Sequence, residues 1–142
     1  MSLVVPSERE RFCMSGVEHA NILLAMARKD FDALRGMVDN PLFADEIFGF
    51  HAQQAIEKSL KAWLAIRSID FPLTHDISRL LSLLEEDGID ASQFLPLVQF
   101  AVFAVQARYE AGIMDSDMPI DRMATIEDVG RLLKTVESFI LR

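Results

Sequence analysis

The stretch "FGFHAQQAIEKSLKAWLAIRSIDFPLTHDI", residues 48–77, decides the fold. Turned by about 100° per residue, its side chains sort into two faces. Phe48, Ala52, Ala55, Ile56, Ser59, Leu60, Trp63 and Ile66 fall on one side, and His51, Gln54, Lys58 and Lys61 on the other, at spacings of three, four and three. This is the pattern of a helix packed on one face, with none of the two-residue alternation of a strand. The small Ala and Ser residues let a second helix approach closely, while Ile56, Leu60 and Trp63 fill the space between. The helix is expected from Asp45 to Ser68, about 36 Å long.

Outward from it, the breaks are few: "DNP" at 39–41, "DFP" at 70–72, "EDG" at 86–88 and "YEAGIMDSDMP" at 109–119. Four more helical segments lie between them. One runs from Gly16 to Met37 with a partial apolar stripe through Ile22, Leu23, Met26, Phe31 and Leu34. Another opens at "THDISRLLSLLEEDG", where Thr74 or Asp76 can cap the first turn and Gly88 can close the last. A third, "ASQFLPLVQFAVFAVQA" (91–107), carries no charge over 17 residues. It contains Pro96 and three Gln and is short for a bilayer, so it reads as a central core helix or a subunit interface rather than a membrane span. The last is "TIEDVGRLLKTVESFILR", with Thr125 and Asp128 as a variant capping box. The expected fold is therefore all-α: an antiparallel bundle of four to five helices forming one domain over residues 1–142, its core from about residue 16.

The charge balance limits the function. Twenty-two acidic against fourteen basic residues give −8, whereas proteins that hold nucleic acid mainly through phosphates usually present a basic surface. A nucleic-acid contact must then be local, and Lys58, Lys61, Arg67 and Arg79 against Asp70 and Asp76 make a small positive island. The single cysteine, Cys13, excludes an intrachain disulfide, and the charged start "MSLVVPSERERF" does not fit a secretory signal, so a cytoplasmic location is expected. The scattered His19, His51 and His75 have no metal-ligand spacing, and no glycine-rich phosphate loop is present. Neither a metal nor a cofactor is implied.

The polar face of the second helix admits two readings. In one it is a solvated stripe with an exposed Glu57–Lys61 pair worth a few tenths of a kcal/mol (~0.3). In the other, two ammonium groups, an amide and an imidazole in line receive a phosphate or a base edge. His75, between Thr74 and Asp76, reads as a helix-entrance residue bonding to backbone. Arg108, first charge after the uncharged run and beside Tyr109, suits a helix C-terminus.

The order "FHAQQAIEKSLKAWL", "FPLTHDISRLLSLL", a long uncharged segment closing in "ARYE", and an acid-rich loop before "TIEDVGRLLKTVESFI" resembles the HEPN domain family (higher eukaryotes and prokaryotes nucleotide-binding), from about residue 16 to the C-terminus. The resemblance implies a helical bundle that commonly forms a homodimer, with the functional groove between or beside the subunits. It also implies a minimal nucleotidyltransferase as partner, in toxin–antitoxin or related two-component pairs, and a nucleotide or RNA ligand. On these grounds the candidate ligand-binding residues are His51, Gln54, Lys58, Lys61, Arg108 and Tyr109.

Many proteins that this chain resembles are metal-independent ribonucleases with an Arg followed, after four to six residues, by a His. The imidazole moves a proton during attack of the ribose 2′-hydroxyl while the guanidinium holds the phosphate. Arg108 matches the Arg, but Ile113, Met114 and Asp115 stand where the His would be. Tyr109 likewise does not stand where the modified Tyr of some relatives follows the His. The expectation is a binding module with a degenerate ribonuclease motif. The alternatives are a ribonuclease toxin with a relocated base and a purely structural interaction subunit.

Overall fold

The computed structural model describes residues 15–104 and 119–140. It contains α1 (Gly16–Met37), α2 (Asp45–Ile66), α3 (Ile77–Glu86), a 3₁₀ segment (Ser92–Phe103) and α4 (Arg122–Ile140), with no strand among the described residues. The all-α bundle expected from the sequence is what forms.

α1 and α2 make an antiparallel hairpin. Gly16, at the start of α1, lies against the Ala65 carbonyl near the end of α2, where a Cβ would collide with that oxygen. α4 runs antiparallel to α1 and parallel to α2, with Gly130 beside Phe31 and Phe139 stacked on Trp63 at 5.7 Å. α2 is the central element, and Phe48, Ile56, Leu60 and Leu64 are fully enclosed.

Local chemistry explains the boundaries. Ser15 and Asp76 cap α1 and α3, accepting bonds from Glu18 N and from Ser78 N and Arg79 N. α3 closes on Gly88, at φ 84°, with Gly88 N–H donating to Glu85 O and Ile89 N–H to Leu84 O. That is the six-to-one and five-to-two pairing of a Schellman end. α2 ends the same way through Ser68 N→Ala65 O and Ile69 N→Leu64 O, which places Ser68 at φ 58°. The helix therefore stops at Ile66, two residues before the expected Ser68, and Ser68 takes a left-handed position that usually falls to glycine.

Three further expectations are corrected. The apolar stripe of α1 expected through Ile22, Leu23, Met26, Phe31 and Leu34 runs instead through Ala20, Leu24, Ala27, Leu34 and Met37, the small alanines allowing close packing, and Ile22 and Met26 are exposed. α4 starts at Arg122, one turn before Thr125: Asp121 Oδ1 accepts from Ala124 N, and the buried Thr125 hydroxyl donates to Asp121 O. The uncharged stretch is not an α-helix over its described part. Within the 3₁₀ segment the buried residues are Phe94, Leu97, Phe100 and Phe103, a spacing of three that matches the three residues per turn of a 3₁₀ helix. The remainder of the run, with Arg108 and Tyr109, lies outside the described residues.

This segment docks on α2 at Gly49, where a Cβ would come within 2.5 Å of the Phe103 ring. Arg122 locks the same end of α2. Its guanidinium donates to Met37 O at 2.7 Å, Asn40 O at 3.2 Å, Phe43 O at 2.5 Å and Asp45 Oδ1 at 2.9 Å, and lies 5.2 Å from the Phe48 ring centre. One fork thus satisfies carbonyls left over at the end of α1 and ties them to the start of α2.

Two substitutions on α2 should act in opposite directions in urea denaturation. Gly49→Ala forces the Phe103 ring away and is expected to cost about 1–3 kcal/mol. Ser59 is fully buried and its hydroxyl has no partner among the described residues, so Ser59→Ala should leave stability unchanged or raise it.

Candidate functional site

The polar face of α2 is built around two carboxylates that sequence reasoning did not select. Asp30, on α1, is buried, and two donors from α2 converge on it. His51 Nδ1 lies 2.9 Å from Asp30 Oδ1, and Lys58 Nζ lies 2.7 Å from Oδ2. On α2 itself, next to Lys58, Glu57 is also buried. It accepts from Lys61 Nζ at 2.7 Å, from Gln53 Nε2 at 2.5 Å and from His75 Nδ1 at 3.0 Å. His75 stands at the entrance to α3, so this cluster joins two elements, as the Asp30 cluster joins α1 to α2.

Each position has a physical cause. Along α1, Ala20, Leu24, Ala27, Leu34 and Met37 are buried, and Asp30 falls within that register. A carboxylate there loses its water and must be met by cations or hydrogen bonds. Gln53, Glu57 and Lys61 follow one another at four-residue spacing, which puts them on one ridge of the helix. Burial alone would raise the Glu57 pKa. Hydrogen bonds from Lys61 and His75, the Lys61 charge and the bond from Gln53 outweigh it, and hold Glu57 below its ordinary value of 4.5.

Two readings change as a result. The Glu57–Lys61 pair is not an exposed ornament, because the two side chains are 6% and 13% accessible. His75 bonds to a carboxylate of α2 rather than to backbone. Since an ionised carboxylate can only accept, Nδ1 of His75 carries the hydrogen and Nε2 lies outside that bond. His51 is held through its Nδ1 in the same manner.

Of the expected ligand-binding residues, the structure brings His51, Gln54, Lys58 and Lys61 together on one face of α2. Gln54 Nε2 donates to Gln53 Oε1 at 2.7 Å, which leaves the Gln54 carbonyl oxygen outside that bond. Arg108 and Tyr109 lie outside the described residues. The positive island is neutralised almost throughout: Lys58 faces Asp30, Lys61 faces Glu57, Arg67 pairs with Asp87 and Arg79 with Glu86. No group of three or more His, Cys, Asp or Glu side chains among the described residues could hold a metal ion.

The ammonium groups nevertheless retain capacity. Each has three donors and gives one to a carboxylate, so about two per lysine remain. The carboxylates also hold the lysine side chains, whose free rotation otherwise costs up to about 2 kcal/mol to restrict. Apolar residues extend the face. Ile22 and Met26 precede Asp30 at four-residue spacing on α1, Ile47 precedes His51 by four on α2, and all three are substantially exposed.

The family model of the HEPN domain matches residues 20–142. No curated protein and no solved structure is found to match. The match covers most of the chain, which belongs to the HEPN domain family.

The depressed Glu57 pKa gives a pH test with a definite sign. Its ionised form stabilises the fold above about pH 4.5, and that contribution is lost as the pH falls through the lower native value. Glu57→Gln should therefore cost about 3 kcal/mol near neutrality, by leaving Lys61 without its buried partner. The gap from the native sequence should narrow on acidification below pH 4.5, as read by urea denaturation at several pH values.

Proposed function

We propose that this HEPN-domain protein is a dimeric, noncatalytic module that binds the phosphates of a nucleotide or short RNA along α2, and works beside a minimal nucleotidyltransferase in a toxin–antitoxin-like pair. The observation that carries the binding site is the pair of lysines, Lys58 and Lys61, each anchored by a buried carboxylate with donors to spare. His51 and Gln54 stand on the same face, and Arg108 and Tyr109 complete the ligand set by resemblance to the family.

Electrostatics favours a small ligand. With each ammonium balanced by a carboxylate, the stripe has little net field, and the whole chain carries −8. Long nucleic acid depends on counterion release along a basic surface. A few phosphates held by placed hydrogen bonds do not. The exposed Ile22, Met26 and Ile47 beside the stripe support a subunit contact that would set two stripes near one junction.

Titration with ATP and with a short oligoribonucleotide tests the site. Lys58→Gln combined with Lys61→Gln should weaken binding about tenfold or more, as should Gln54→Ala to a smaller degree, each loss of about 1.4 kcal/mol being one decade. Gln54→Ala leaves both carboxylates their direct partners but takes one from the buried Gln53 oxygen, so its binding is compared with the parent's at matched thermal stability. Equal binding by all three proteins, with thermal melts showing them folded, would remove the assignment.

One observation favours a second reading, a ribonuclease with a relocated base. His51 and His75 are each oriented by a carboxylate through Nδ1, the arrangement that prepares an imidazole to accept a proton on Nε2. That reading expects RNA cleavage in the presence of a chelator, abolished by Arg108→Ala and by one of His51→Ala or His75→Ala. Intact RNA after prolonged incubation with the pure protein excludes it.

A further inference from the structure

We infer that the groove between α1 and α4 docks an acidic amphipathic helix of a partner protein. Two cavities of about 520 and 570 Å³ lie along this groove and share Arg28 and Glu137, whose ion pair bridges the helices between them. Asn21 and Ile140 lie at one end, and Arg35 and Ile126 towards the other. Fifteen residues of α1 span it, so its length is about 21 Å at 1.5 Å per residue. That suits a helix of about four turns.

The chemistry of the groove identifies its occupant. Apolar side chains form the floor: Leu24, Phe31 and Ala25 from α1, and Ile126, Leu133 and Ile140 from α4. Cations dominate the rim. Arg28, Lys29, Arg35, Arg131 and Lys134 line the cavities, against Glu127 and Glu137 alone. Asp32 and Asp128 pair with Arg35 and Arg131 from just outside, at 3.8 and 3.3 Å. Even with those two included, five cations face four carboxylates, on a chain whose overall charge is −8.

Lys29 and Lys134 are exposed and make no ion pair with any described residue. An apolar floor with unpaired ammonium groups on both walls complements a helix that carries apolar residues on one face and Asp or Glu along its flanks. Nucleic acid would meet the cations but leave the aliphatic floor unused, and it stacks on aromatic surfaces, of which this lining offers Phe31 alone. The groove is also separate from the α2 stripe. Arg28 and Asp30 are two residues apart and so point about 200° apart around α1.

The full-length protein can be titrated with a labelled peptide of about 14 residues bearing leucines at three- and four-residue spacing and glutamates on both flanks. A counterpart with lysine for every glutamate serves as control. The acidic peptide should bind, the basic one should not, and Lys29→Glu with Lys134→Glu should weaken acidic-peptide binding about tenfold or more, as reversed steering and contact charges require. Gln54→Ala should leave it unchanged. Absence of binding, equal binding of both peptides, or no effect of the double substitution overturns the proposal. So does an oligoribonucleotide that displaces the peptide and itself loses affinity in the double variant, which would make the groove a nucleic-acid surface. A change in molar mass by light scattering on the same double substitution would instead give the groove to a second copy of the chain.

Discussion

Asp30 and Glu57 are carboxylates placed inside a helical bundle, and much of the functional face follows from meeting that constraint. A buried carboxylate without partners would cost several kcal/mol, and removing one partner of a buried pair costs about 3–5 kcal/mol. Asp30 is met by His51 and Lys58, and Glu57 by Lys61, Gln53 and His75. These contacts fix how α1 lies on α2 and where the chain enters α3. They also determine which atoms would remain for a ligand: on α2 the further donors of two lysines, the second ring nitrogen of His51 and the carbonyl of Gln54, and at the entrance to α3 the second ring nitrogen of His75.

The same constraint shapes how the proposed site would meet an anion. Because its cations are already balanced, α2 is a face of positioned donors rather than a field of positive charge. The α1–α4 groove differs in kind, since Lys29 and Lys134 have no such partner among the described residues and surround an apolar floor. α1 separates the two surfaces, one suited to placed hydrogen bonds and the other to an amphipathic acidic helix. A protein that binds a small ligand and a macromolecular partner at once needs two such surfaces.

Much of the fold was legible in the sequence because it rests on local rules. The apolar period of α2, the Asp76 cap and the Gly88 closure each depend on a few adjacent residues. The 3₁₀ segment was present as well, in the spacing of Phe94, Leu97, Phe100 and Phe103, but a run apolar all round hides a period of three behind the other apolar residues. Arg122 was not legible as a clamp, since its partners lie 77 to 85 residues away. The site was half legible. The row of His51, Gln54, Lys58 and Lys61 is a property of one helix. The burial of Asp30 is a property of α1 seated on α2, although an acid within the apolar register of α1 was the available signal. The role of Glu57 depended on His75, eighteen residues further on and in another element.

Carboxylate-held donors on α2 are proposed to receive the phosphates of a ligand. Side-chain NMR of the lysine ammonium and histidine ring groups, recorded while ATP is added, observes those atoms directly. Lys58, Lys61 and His51 should shift together and saturate along one binding curve, with Lys29 and Lys134 unmoved. Shifts confined to Lys29 and Lys134, or no saturable shift at Lys58 and Lys61, would contradict it.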